Sequence, residues 1–268
     1  MSFFHLILSF LAIGLVGGFQ FGLMGIGTGL LALPILLYLL PLMGIAPDLV
    51  ASVSIATVSA TLALTSVSAV VSHLRYKTIQ WPLVRKLAPM GIVGIFSGVA
   101  LNAYLPVEIS RKVLASLIIL IAVKMLLESC CSEGSDDSRP LPNYLQGAAW
   151  GLGLFTGMVG IANLVLLPFY NHYLGMKKAI GTAMASSLLF LTVTCLIYVV
   201  LGAYRGVGAQ SPYLIGYMDW PAVLAMASAA LLSAPLGVKL SHKLPVAKLK
   251  VAVSVMILVV ALKLFFSA

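Results

Sequence analysis

Charge is the scarcest thing in this chain. Of 268 residues only 9% are charged, while 61% are hydrophobic. Charged residues make up roughly a quarter of an ordinary soluble chain, so this composition excludes a soluble globular domain and points to an all-α polytopic membrane protein. The alternating, weakly apolar segments of a membrane β-barrel are missing too. Cysteine is nearly absent: Cys130 and Cys131 are adjacent, and Cys195 lies inside an apolar run. That excludes a disulfide framework, and no His/Cys spacing fits a metal site or calls for a cofactor. The seven carboxylates, Asp48, Glu108, Glu128, Glu133, Asp136, Asp137 and Asp219, fall in loops or at segment ends, as do His5, His73, His172 and His242. A proton or cation relay needs an intramembrane carboxylate, so this distribution disfavours a cation antiporter and suits an anion carrier. Proton coupling would then use the substrate's own protonation or an interfacial histidine, His73 and His172 being the candidates. Enzyme signatures are lacking as well: there is no HExxH, no GxSxG and no paired intramembrane acid. The N-terminus, MSFFHLILSF, has no basic leader region and reads as a first membrane helix.

The net charge of +9 would suggest nucleic acid in a soluble protein. Here the charges sit between apolar segments, so they act as topology determinants. Residues 3–24 form the first segment, followed by a glycine-rich break. A short apolar segment then runs from Leu30 to about Leu40, stopped by Pro41. Residues 48–72 are apolar but rich in Ser and Thr, 73–86 form a polar loop, and 87–104 carry Gly91, Gly94 and Gly98 on a face suited to close helix packing. Residues 109–127 make the fifth segment, and 129–143 read as a linker rich in charge and turn residues. Trp81, Trp220, Tyr204 and Tyr217 suit the interface belts of a membrane protein, and Lys124 and Lys263 suit snorkelling positions.

The second half repeats the first. Trp81-Pro82 matches Trp220-Pro221, Gly98 matches Gly237, Pro106 matches Pro245 and Lys124 matches Lys263, all at the single offset of 139. Two five-segment repeats follow, 3–128 and 144–267. Equivalent loops carry opposite charge bias. Arg75, Lys77, Arg85 and Lys86 crowd a loop whose counterpart, 203–219, holds only Arg205 and Asp219. Lys177-Lys178 and the run Lys239, Lys243, Lys248, Lys250 reverse the pattern. Loops of opposite bias face opposite sides, which predicts inverted repeats. With basic loops in the cytoplasm the linker is cytoplasmic, both termini are extracytoplasmic, and 12 of the 16 Lys+Arg lie inside. The loop parity is the same for ten spans and for eight spans with two re-entrant hairpins, and both fit.

The stretch Gly22–Pro34, GLMGIGTGLLALP, has an echo at Gly157–Pro168, GMVGIANLVLLP. Each is a small-residue break between apolar runs. Lipid cannot satisfy the backbone groups such a break exposes, so it must be buried in protein or line a wet cavity. Paired breaks in two halves point to a transporter's binding site. Helices restarting near Leu30 and Leu164 would present unpaired N–H groups and the positive end of the helix dipole to an anion. The candidate substrate-binding residues are Gly25, Gly27, Thr28, Gly29, Ser52, Gly160, Ala162, Asn163 and Thr182: small residues let an anion approach the backbone, and the hydroxyls and the amide donate. The bland alternative is that the glycines only permit close packing and the hydroxyls bond to their own helix.

This pattern, a GLxGIGxG-like break with Gly22, Gly25, Gly27, Gly29 and Pro34, its echo in Gly157, Gly160 and Pro168, and Ala179-Ile180-Gly181-Thr182 in the following segment, resembles the TauE/SafE family of sulfite and organosulfonate exporters. The resemblance covers essentially the whole chain. It implies a multi-pass inner-membrane transporter of sulfur-containing anions, not an enzyme, with a small anion and the bilayer as partners and no nucleic acid. Thr28, Ala162 and Asn163 stand where the family more often has glycine. Anion channel activity, a carboxylate substrate, proton coupling and a homodimer are all compatible with the residues.

Overall fold

The computed structural model describes residues 3–25, 28–104, 116, 119, 123, 145–174 and 176–241. The rest of the fifth segment, the linker, Pro106, Lys124, Pro245, Lys263, His242 and the end of the second half lie outside the described residues. Among the described residues there are eight α-helices: α1 (Phe3–Met24), α2 (Thr28–Leu42), α3 (Pro47–Arg75), α4 (Trp81–Tyr104), α5 (Leu145–Val159), α6 (Asn163–Leu174), α7 (Met176–Tyr204) and α8 (Trp220–Ser241). A 3-10 turn (Val207–Gln210) and a two-stranded hairpin, β1 (Leu214–Ile215) and β2 (Met218–Asp219), join α7 to α8. Five of the helices, α1, α3, α4, α7 and α8, are long and apolar enough to cross a membrane. At 1.5 Å per residue α2 reaches about 22 Å and α6 about 18 Å, short of a ~30 Å hydrocarbon core.

Boundaries follow local chemistry. Pro47 opens α3 with its fixed φ, and Asp48 complements the positive helix start. Trp81 and Trp220 each begin a helix, so residues 81–86, expected in the polar loop 73–86, form the first turns of α4, with Pro82 just inside its start. Pro41 does not stop α2: the helix continues to Leu42 and turns at Gly44, whose φ of +84° suits glycine. Proline at 41 gives up only the N–H that would bond the Leu37 carbonyl, and the helix ends one residue later.

Glycine sets the closest packing. Gly14, Gly18 and Gly22 on α1 lie against Met226, Ala230 and Ala234 on α8, so a β-carbon at any of them would strike the α8 backbone or its small side chains. The register rises together on both helices, so α1 and α8 run parallel. Gly94, Gly98, Gly153 and Gly157 do the same for α4 and α5, again in parallel register. Gly98 faces the Leu154 carbonyl and Gly237 faces the Phe19 carbonyl. Apolar side chains gain little from leaving lipid for protein, so association rests on such close backbone contact. The flanking faces, with Val16, Phe96, Val200 and Leu232 exposed, are apolar and suit lipid.

Helix α3 is the centre. Of its apolar stretch 72% is buried, against 44–56% for the other four long helices. It crosses α7 in antiparallel sense. Ser66 and Ser187 meet at 3.3 Å, the loop after α3 reaches Gly181 near the start of α7, and the loop after α7 returns to Thr57 in the first half of α3. Ser59, Thr61, Thr65 and Ser66 each donate to the carbonyl four residues back at 2.7–2.9 Å, which satisfies these hydroxyls locally.

Replacing Gly22 by leucine should destabilise the protein by about 2 kcal/mol or more, because the α8 backbone cannot move aside. Gly151→Ala, where a β-carbon meets nothing within 4 Å, should be neutral. Thermal unfolding in detergent separates the two.

Candidate functional site

The two breaks share one design. Gly25 (φ +76°) and Gly160 (φ +72°) close α1 and α5, each N–H bonding the carbonyl four residues back, Phe21 at 2.6 Å and Thr156 at 2.8 Å. A left-handed residue ending a helix is glycine's usual role, since a β-carbon there is strained. Three residues later α2 starts at Thr28 and α6 at Asn163, slightly earlier than the Leu30 and Leu164 expected. Both first residues are buried. Ala162 supplies the carbonyl that Val165 and Leu166 bond, so it stands just before the first turn of α6.

The breaks meet. The Asn163 side-chain amide donates to the Gly25 carbonyl at 2.7 Å, across 138 residues of chain. A β-carbon on Gly29 would lie 3.0 Å from Ile161 of the other break and 3.1 Å from Val58 of α3. Gly160 rests on α3 as well, its carbonyl 3.5 Å from the Ser59 hydroxyl and its α-carbon too close to Ile55 for a side chain. One stretch of α3, residues 54–62, therefore backs both breaks.

Among the described residues three buried side-chain oxygens have no hydrogen-bond partner: Thr28 Oγ1 and Asn163 Oδ1 at the breaks, and Ser54 Oγ on α3, next in sequence to Ile55. Thr28 and Ser54 are fully buried and Asn163 is 2% exposed. Leaving such a group unpaired costs about 1–3 kcal/mol, and native proteins rarely keep them without reason. Thr28 and Asn163 are also the first residues of α2 and α6, where the first N–H groups have no intrahelical acceptor. The place thus offers hydroxyl donors, backbone donors and two positive helix ends.

Of the residues singled out from the sequence, Gly25, Thr28, Gly29, Gly160, Ala162 and Asn163 come together at the breaks. Gly27 lies outside the described residues. Ser52 is half-buried on α3. The Thr182 hydroxyl accepts the Gln80 N–H at 3.0 Å and pins the α3–α4 loop to α7. Gly22 and Gly157 serve helix packing. Ser54 was not singled out. It sits one turn before Val58 on the face toward α2, a distinction invisible in a helix with Ser and Thr on every side. His73 is buried at the end of α3 with Nδ1 3.1 Å from Thr78 Oγ1, and His172 packs edge-on against the Tyr173 ring.

Two expectations need correction. Tyr217 does not sit in an interface belt with exposed Trp81, Trp220 and Tyr204. It is buried, edge-on to Tyr198 at 6.2 Å. Asp219 belongs to a loop by sequence, yet it is only 1% exposed. Its carboxylate accepts the Ala222 N–H at 3.1 Å and so caps α8, while its own N–H donates to Thr57 Oγ1 at 3.0 Å. Burial pushes its carboxyl above the ordinary value, and the Ala222 N–H pulls it part of the way back. Among the described residues no three His, Cys, Asp or Glu side chains gather as metal ligands.

A family model described as sulfite exporter TauE/SafE matches residues 10–264. A probable membrane transporter protein of Haemophilus influenzae is 30% identical, over 98% of this chain and 99% of its own. One from Methanocaldococcus jannaschii is 27% identical over 90% and 89% of the two chains, and one from Bacillus subtilis 21% over 99% and 98%. No solved structure matches the chain.

Asn163→Ala, which unties the two breaks, should lower stability by about 1 kcal/mol. Asn163→Asp, which sets a carboxylate against the Gly25 carbonyl, should cost more; melting in detergent measures both. Asp219 gives a pH dependence of definite sign. With the folded-state value raised, the folded protein binds more protons than the unfolded chain between the ordinary and the raised value, so stability falls as pH rises through that window. The melting difference between wild type and Asp219→Asn should shift in favour of wild type as pH falls.

Proposed function

The chain belongs to the TauE/SafE family and is a multi-pass membrane transporter, not an enzyme; from that premise we propose that it carries small sulfur oxyanions or organosulfonates, sulfite first, and holds them between the starts of α2 and α6. The observation that carries this reading is the matched pair Thr28 and Asn163. Each opens a short helix, each is buried, each has an oxygen without a partner, and Asn163 binds the other break through Gly25. An oxyanion there takes hydrogen bonds from the Thr28 and Ser54 hydroxyls, from the second N–H of the Asn163 amide and from the first backbone N–H groups, without lysine or arginine. Asn163 Oδ1 accepts the O–H of a singly protonated oxyanion such as hydrogen sulfite.

In this reading residues 3–128 and 144–267 are inverted repeats joined by a cytoplasmic linker, 129–143, with both termini outside the cell membrane. Helix directions support it. With alternating helices, two copies in the same orientation would set the first helix of one antiparallel to the fourth helix of the other. Here α1 runs parallel to α8, α4 runs parallel to α5, and α3 crosses α7 antiparallel. Outward transport then proceeds by alternating access, one repeat rocking against the other around the breaks.

Thr28→Val tests the site cleanly. It is close to isosteric and removes a hydroxyl that has no partner in the ligand-free protein, so the fold should be as stable as wild type or slightly more so. Sulfite flux in proteoliposomes should nonetheless show an apparent affinity about tenfold weaker, since losing a hydrogen bond to a charged group costs about 1.5–3 kcal/mol. Unchanged sulfite affinity would remove Thr28 from the site. Non-saturating flux would favour a channel, and flux of carboxylates without sulfite would overturn the substrate.

A further inference from the structure

The loop from Arg205 to Asp219 folds back into the bundle. Gly216 packs on the Val199 backbone, more than a turn inside α7, and Asp219 reaches Thr57, ten residues into α3. At 1.5 Å per residue that is about 15 Å along a helix of some 43 Å. Thr57 belongs to the same stretch of α3 that backs both breaks. Its neighbours Ile55, Val58 and Ser59 face Gly160 and Gly29, while Thr57 faces Asp219. Asp219 thus lies level with the breaks along α3, on the other side of one helix.

The charged and titratable groups around it are few. The loop itself brings Arg205, Tyr213 and Tyr217, and the Arg205 guanidinium donates to the Tyr217 phenol at 3.4 Å. Helix α7 brings Tyr198, in edge contact with Tyr217, and Tyr204 at its end. Asp48 and Arg75 of α3 stand at that helix's two ends, and Lys239 is in the last turn of α8. Helix α1, parallel to α8, has His5 near the Asp219 end. Among the described residues no cation forms an ion pair with Asp219, whose carboxylate is held by the start of α8 alone. A buried carboxylate with no cationic partner is costly to keep ionised, and in membrane proteins such groups mark proton paths.

We infer that Asp219 is the proton-binding group that couples anion movement to a proton gradient. The inference rests on the transport reading above and names its coupling residue. Ionised, Asp219 holds the start of α8, with its N–H on Thr57. Protonated, it releases the negative charge that complements the helix start, and the strap loosens from the face of α3 opposite the breaks. The proton and the anion are thereby linked through one stretch of α3.

The test uses the full chain in proteoliposomes loaded with sulfite and a pH-sensitive dye. Wild type should couple sulfite movement to proton movement and accumulate sulfite against its gradient. Asp219→Asn caps a helix as well as aspartate does but exchanges no proton. Sulfite-for-sulfite exchange should persist while proton movement and accumulation are lost, and Asp219→Glu should restore coupling. Coupling by Asp219→Asn equal to wild type overturns the inference, as does loss of exchange and accumulation together. Infrared spectra of wild-type protein with isotope-labelled aspartate need neither flux nor a folded variant. A protonated carboxyl band titrating above the ordinary carboxylate range is expected, and its absence overturns the assignment. Should wild type move no anion while that band titrates, the substrate reading fails and the proton site stands.

Discussion

A helix that stops inside an apolar bundle leaves N–H and C=O groups that lipid cannot satisfy. The structure depends on how this chain meets that constraint twice. Gly25 and Gly160 end their helices in the left-handed conformation; the Gly25 carbonyl accepts the Asn163 amide of the other break, and Gly160 rests on Ile55 and Ser59 of α3. The breaks are therefore satisfied by one another and by α3. Neither half could hold its own break in this form. The glycine contacts of α1 with α8 and of α4 with α5 bring the halves close enough for it to happen.

Helix α3 makes the arrangement coherent. Five of its hydroxyls, on Ser59, Thr61, Thr65, Ser66 and Ser72, bond to their own helix, which keeps a polar helix compatible with an apolar interior. Others are not. Ser68 donates to the Leu231 carbonyl of α8, Thr57 accepts the Asp219 N–H, and Ser54 has no partner among the described residues. The same composition thus bonds inward along most of the helix and reaches other elements at a few positions. The turn that holds Thr57 lies between the anion site proposed here and the buried carboxylate.

Much of this was legible in the chain. The first helix, the glycine faces and the paired breaks all follow from periodicity, small-residue spacing and the fixed backbone preferences of Gly and Pro. These are local properties, and they survive any tertiary context. The same reasoning went astray where location was needed. Tyr217 read as an interface-belt residue, and nothing in the loop position of Asp219 signalled its burial. Nor did anything in the sequence signal that the Thr182 hydroxyl also accepts the Gln80 N–H across the α3–α4 loop.

The sequence by itself determined a polytopic helical membrane transporter with two broken helices, because apolar runs, breaks and charge bias each depend on residues close together in the chain. Only the tertiary structure decided which oxygens stay unpaired and which carboxylate is buried. Asn163 finds Gly25 across 138 residues and Asp219 finds Thr57 across 162. A hydrogen bond forms between atoms within about 3 Å whatever their separation along the chain, so satisfaction and burial are properties of the packed molecule.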